Sequence, residues 1–405
     1  MPELPTEAVP MLVSVDDHIV EPPRLWADRL SGHDREVGPR VVRELIQPGT
    51  MADVTEPTWC DVWHYEDVRV PTLRAPAAVG MDPSLAELKP TIFEEMRPGC
   101  YEREARLADM DLDGVEASLC FPNVWVRFCG QRFYEGQDKD LALKCVRAYN
   151  DWLHEEWAGP SEGRLIGAAI IPLWDAELAA AEVRRNAARG FRAVSFSEIP
   201  VRLGLPSMYS GAWEPFFTAC AETSTVINVH IGSSSLVHTT SPDAPFGVQT
   251  SNHFSNSSFS LSDWLLCGAF IRHPNLKVAF SEGQAGWMPF LLSRLDGLWR
   301  TANAFTEIRE AVPELPSSYV PDHVYTCVFD DPAAMKLLDE IGVDNICFET
   351  DYPHGDGSWP GSRRAAAELT KGLDAATRQK ILRTNAAVLF GIDRVLREPS
   401  LATTP

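Results

Sequence analysis

The sequence predicts a closed (β/α)₈ barrel. Two observations carry the prediction: eight short apolar runs rich in β-branched residues, and helical patterns lying between them. A third narrows it, because no G-x-G-x-x-G follows the first run to suggest an open dinucleotide-binding sheet.

The strand candidates run in order along the chain. MLVSV (11–15) leads straight into Asp16, Asp17 and His18, and Pro22 stops it. EASLCF (116–121), LIGAAII (165–171), AVSFS (193–197) and TVINV (225–229) follow. LKVAF (276–280), VYTCVF (324–329) and NICFE (345–349) complete the eight. Between them, DAELAAAEVRRNAARG, AMKLLDEIG and RRAAAELTKGL have helical spacing, and Gly190 is a natural stop for the first of these. Two connections are unusually long. An insertion at about 21–105 includes EPTWCDVWHYEDVRVPT and is expected to cap the barrel mouth. Residues 231–257, rich in Ser, Thr, Asn and Pro, are expected to form an active-site loop. The whole chain, 1–405, is read as one domain.

Composition excludes several classes of function. A net charge of −21 argues against nucleic acid, whose phosphates are bound by Lys and Arg. No apolar run is long enough to span a membrane, and the start MPELPTEAVP lacks a signal-peptide pattern. Nine scattered cysteines with no Cys-x-x-Cys disfavour a thiolate metal site or a redox pair. The expectation is a cytoplasmic enzyme with a small-molecule substrate, and a homodimer is possible by analogy with other barrels.

Chemistry in such a barrel sits at the C-terminal ends of the strands. There the sequence places Asp16 and His18 (strand one), His230 (strand five), Glu282 (strand six) and Asp351 (strand eight). Carboxylates brought together this way repel unless a cation compensates, so a metal site is expected. Imidazoles and carboxylates without thiolate suit iron, manganese or zinc. Five such ligands exceed the needs of one tetrahedral ion, so a second ion is expected near the first, with Glu282 in contact with metal. His253, in SNHFSNSS, is either a sixth ligand or a loop histidine bonded to its Ser and Asn neighbours. His354 is a candidate proton donor, a supporting partner of the ligands or a plain loop residue. Asp17 is expected to support the ligands and Glu21 to return to the site or cap a turn. Glu198, Asp330 and Asp331 are read as structural, and Trp287 and Trp359 as packing residues that could line a pocket.

The first-strand acid-x-His, INVHIG, RHPNLKVAFSEGQAGW and ETDYPH together resemble the amidohydrolase-related TIM-barrel family. That family includes aminocarboxymuconate semialdehyde decarboxylase and γ-resorcylate decarboxylase. The resemblance implies that Asp16, His18, His230 and Asp351 stand at its metal-ligand positions. The family's decarboxylases carry a catalytic histidine where this chain has Glu282. With Asp-Asp-His, Ser-Glu-Gly and Thr-Asp-Tyr-Pro-His, the chain resembles a subgroup containing the nonheme diiron monooxygenase of platensimycin biosynthesis. That subgroup implies two Fe ions held by Asp16, His18, His230, His253, Glu282 and Asp351, and an external electron donor. It also implies a CoA-linked substrate, often terpenoid or steroid-like. The alternative is a zinc or manganese hydrolase or decarboxylase, in which Asp351, Glu282 or His354 moves protons.

Overall fold

In the computed structural model, residues 9–397 are described apart from 52–53, 83–87 and 237. Eight parallel strands close into a barrel: β1 (Leu12–Ile19), β5 (Val115–Pro122), β6 (Leu165–Ala169), β7 (Ala193–Ser197), β8 (Val226–His230), β9 (Val278–Ser281), β10 (Val324–Val328) and β11 (Ile346–Phe348). Each neighbour is the next strand in sequence, and β1 closes the ring between β5 and β11. All eight predicted runs overlap these strands. Val13, Val15, Leu119, Phe121, Ala168, Val226 and Tyr325 fill the interior, so it is a packed core. A larger apolar shell joins the outer faces of the strands to the helices.

β1 departs from its predicted end. It continues through Asp16, Asp17 and His18 to Ile19, with every residue buried. Pairing with β5 sustains it: Asp17 lies opposite Cys120 and His18 opposite Phe121, after a register shift between Ser14 and Asp17. The shift re-aims side chains that strict alternation would have assigned by position alone.

The long connection after β1 forms an antiparallel sheet of its own, β2 (Arg40–Ile46), β3 (Thr58–Tyr65) and β4 (Val68–Pro71). It packs on loops leaving the C-terminal ends of the barrel strands. Trp63 stacks on Trp125 just beyond β5, with centroids 5.1 Å apart. The Val79 amide donates to the Pro353 carbonyl beyond β11 at 3.0 Å. All nine cysteines are buried and free. Among the described residues, no helix is long and apolar enough to cross a membrane.

Candidate metal centre

Asp16 and His18 reach the barrel's C-terminal end from β1, and His230 from the last position of β8. Glu282 follows β9 and Asp351 follows β11. Both residues, like Gln284, hold positive φ (58°, 54° and 55°), a region that non-glycine residues adopt at a cost. The turn bearing Asp351 is laced to β1. The Asp351 amide donates to the Asp16 carbonyl at 2.9 Å, and the His18 amide to the Tyr352 carbonyl at 2.6 Å. Asp17 completes the lacing by accepting from Thr350 Oγ1 (2.7 Å), the Tyr352 amide (3.0 Å), Ser14 Oγ (3.1 Å) and Ser118 Oγ. It thus supports the site without entering it.

The tautomers of the two buried imidazoles follow from their partners. Carbonyls only accept, so Nδ1 of His18 donates to Pro122 O (3.2 Å) and Nδ1 of His230 to Ile231 O (2.6 Å). Each neutral ring then presents the bare lone pair of Nε2, and these two nitrogens lie 3.1 Å apart. Asp16 Oδ2 is 3.3 Å from His230 Nε2, and Asp16 Oδ1 is 3.6 Å from His18 Nε2. Asp351 Oδ1 is 3.5 Å from His18 Nε2, and Glu282 Oε1 is 3.7 Å from His230 Nε2. Both carboxylate oxygens of Asp16 are buried and accept no hydrogen bond.

Lone pairs facing lone pairs and an orphaned carboxylate require something positive between them. Burial, reinforced by Glu349, Glu282 and Asp351, pushes the Asp16 carboxyl well above its ordinary range. Burial and the Glu282 charge do the same to Asp351 and Glu349, and burial pushes Glu282 to about 7. Burial pushes His18 well below its usual value and takes His230 down to about 3. The buried Arg106 makes no hydrogen bond to any of these carboxylates: its Nε and Nη2 donate to the Gly99 and His18 carbonyls, and its Nη1 has no hydrogen-bond partner. A divalent cation would let every one of these carboxylates ionise. The donor set therefore fits a metal ion, with Asp16, His18 and His230 as one compact ligand group and His18, Glu282, Asp351 and His354 as an overlapping one.

The remaining candidates separate cleanly. His354 Nδ1 is 2.9 Å from Asp351 Oδ1, and its ring stacks on His18 with centroids 4.0 Å apart. His253 lies outside both ligand groups. It lines the adjoining cavity, and its Nε2 is buried and has no hydrogen-bond partner. The alternative of bonding to neighbouring Ser and Asn side chains also fails for this atom. Glu198 accepts from Ser234 Oγ (2.7 Å), Asn256 Nδ2 (3.0 Å) and the Gly232 amide (3.0 Å), fixing the turn after β8. Asp331 accepts from the Ala285, Gly286 and Ala334 amides, and Asp330 is exposed. Trp359 bonds Asp109 O and lies under Arg97, whereas Trp287 stacks near Phe254 at the cavity. His33, His64, His154, His238, His273 and His323 stay outside both ligand groups.

Two contributors carried little sequence signal. Glu349, fully buried, accepts from the Glu282 amide at 3.1 Å and from Cys327 Sγ. Its spacing of two from Asp351 repeats that of Asp16 and His18, and was the available clue. Phe128 stacks on His230 with centroids 4.1 Å apart, from a loop with no recognisable pattern.

Glu21 turns away from the metal centre and accepts from the Asn123 amide at 2.9 Å. Burial pushes its carboxyl from 4.5 to about 8. A carboxyl whose pKa folding raises prefers the unfolded state more and more as pH climbs between those two values. Glu21→Gln is therefore expected to stabilise the fold at pH 8, by about 1–3 kcal/mol, and to change nothing near pH 4.5. Thermal melts at the two pH values measure the difference.

The amidohydrolase family profile matches residues 58–392. The chain belongs to the amidohydrolase family. Among curated relatives, the γ-resorcylate decarboxylase of Rhodococcus jostii is 25% identical over 333 residues, covering 73% of this chain and 93% of that protein. The 2-amino-3-carboxymuconate-6-semialdehyde decarboxylase of Dictyostelium discoideum is 24% identical over 319 residues, with 74% and 80% covered. Among solved structures, an amidohydrolase from Mycobacterium avium subsp. paratuberculosis superposes with a TM-score of 0.72 at 24% identity, covering 94% of this chain and 99% of that one. The 5-carboxyvanillate decarboxylase of Novosphingobium aromaticivorans, complexed with manganese and 4-hydroxy-3-methoxy-5-nitrobenzoic acid, gives 0.57 at 20% identity, with 71% and 79% covered. These relatives support the decarboxylase alternative better than the diiron monooxygenase.

Proposed function

We propose that this amidohydrolase-family enzyme is a metal-dependent decarboxylase of small aromatic carboxylic acids. The observation that carries the reading is the pair of Nε2 lone pairs 3.1 Å apart beside a carboxylate without hydrogen bonds. The names of the relatives supply the reaction. Asp16, His18, His230 and Asp351 would hold manganese or zinc, and Glu282 stands within reach. A bound divalent ion supplies a positive charge that holds the substrate carboxylate and stabilises charge developing as the C–C bond breaks.

This chain's residues do the rest. As CO₂ leaves with the carboxyl carbon, the ring carbon keeps the bonding pair and must take up one proton. Asp351 Oδ1 and His354 Nδ1, 2.9 Å apart, sit where that proton can be held and delivered. Phe128, packed on His230, keeps water off the ligand nitrogens. No oxidant or electron donor enters the balance.

A second reading, the O₂-consuming diiron enzyme with an external electron donor and a CoA-linked substrate, draws on one observation. Glu282, Glu349 and the cavity-lining Asp356 exceed what a single ion needs. Metal content and turnover separate the two. We expect one manganese or zinc per chain and release of CO₂ from hydroxybenzoates under nitrogen. Two irons per chain, with turnover only in O₂, would reverse the choice.

A further inference from the structure

Beside the metal centre, a cavity of about 340 Å³ is lined by Glu282 and Asp351 of that centre together with His253, Phe254, Gln284 and Phe329. That volume suits a single-ring ligand. Three polar atoms of its lining residues are buried without a hydrogen-bond partner: Asp351 Oδ1, which belongs to the metal centre, and His253 Nε2 and Gln284 Oε1, which do not. Buried polar groups are almost always paired, so two orphans around one cavity point to a ligand that pairs them. Gln284 is not there by loop slack. Its backbone is fixed at φ 55°, its carbonyl accepts from Thr326 Oγ1 at 3.0 Å, and the next two amides donate to Asp331. A turn anchored this firmly holds its side chain against the cavity at an energetic cost.

The charge of the wall limits what can bind. It contains no Lys or Arg, and its titratable groups other than His253 are the acids Glu282, Asp351 and Asp356. A phosphate or a second carboxylate would meet no cation in this cavity, which argues against a coenzyme A phosphate there. A neutral donor–acceptor group meets two partners. Phe254 and Phe329 offer flat apolar faces on which a ring can rest.

We infer that His253 and Gln284 are specificity-determining residues that bind an uncharged polar substituent, a hydroxyl or an amide, on the part of the substrate ring remote from its carboxylate. The inference rests on the decarboxylase reading for the carboxylate's place at the metal. It assigns His253 to substrate instead of to a second ion.

The test measures binding of 2-hydroxybenzoate and its 3-, 4-, 5- and 6-hydroxy derivatives to the manganese-loaded enzyme by calorimetry. At least one derivative should bind tenfold or more tightly than the parent, since sites built to hydrogen-bond a hydroxyl reject analogues lacking it. His253→Phe and Gln284→Met should each flatten that ratio to within about threefold while keeping the metal content and the melting temperature. His253→Gln, which retains a donor and an acceptor, should restore most of it. No binding, or no discrimination by the native enzyme, overturns the assignment. So does the loss of a metal equivalent in His253→Phe, which would make the histidine a ligand. Discrimination without CO₂ release leaves the assignment standing and sinks the decarboxylase reading instead.

Discussion

His230→Ala is expected to yield a folded barrel that neither keeps its metal nor turns over substrate. His230 supplies one of the two Nε2 atoms that face each other at 3.1 Å, and its other nitrogen is committed to the Ile231 carbonyl. Its removal takes away a proposed ligand and leaves Asp16 Oδ2 without the imidazole nitrogen 3.3 Å away that would share the ion with it. The ring is buried at the end of β8, so some packing against Phe128 and Phe121 is lost as well. Much of that cost is offset, because the variant no longer holds two lone pairs in opposition. A metal site contributes several kcal/mol to transition-state stabilisation, so turnover should fall by ~10³-fold or more. Metal analysis, thermal melting and initial rates together check this. A variant with full metal occupancy would remove His230 from the ligands.

Asp351→Asn is the second large effect. Asp351 stands 3.5 Å from His18 Nε2 and 2.9 Å from His354 Nδ1, joining the proposed metal ligands to the proposed proton donor. Asparagine keeps the size and the strained φ, which Asn tolerates well. It removes the charge that attracts both metal and His354. Loss of positioned proton transfer costs about 10²–10⁴ in rate, and weaker metal binding adds to this. His354→Gln should show the proton-transfer loss alone, with metal content unchanged. Equal metal loss in both variants would make His354 a ligand.

The barrel was legible because the eight apolar runs have the length and spacing of strands alternating with helices. Asp16, His18, His230, Glu282 and Asp351 were legible for a related reason. Each sits at or just past a strand's C-terminal end, and closure of the ring forces those ends together. What was not legible depends on local geometry. The bulge that keeps Asp17 bonded to Ser118 and Thr350 is a register shift, which residue alternation cannot reveal. Glu349 reads as the last residue of a strand until the Glu282 amide and Cys327 are seen converging on it. His253 was read as either a sixth ligand or a loop histidine, and the loop's path places it at the cavity wall, outside both compact ligand groups. The sequence put the monooxygenase first because Glu282 replaces a histidine, a change that speaks about ligand charge and not about oxygen, whereas the relatives support the decarboxylase alternative better.

The most direct test of the central claim is turnover of carboxyl-¹³C-labelled 2,6-dihydroxybenzoate and its isomers by manganese-loaded enzyme in D₂O under nitrogen. The account predicts ¹³CO₂ release from at least one of them, with one deuterium placed on the carbon that lost the carboxyl group. No labelled CO₂ under nitrogen, with turnover appearing only when O₂ and an electron donor are supplied, would contradict it.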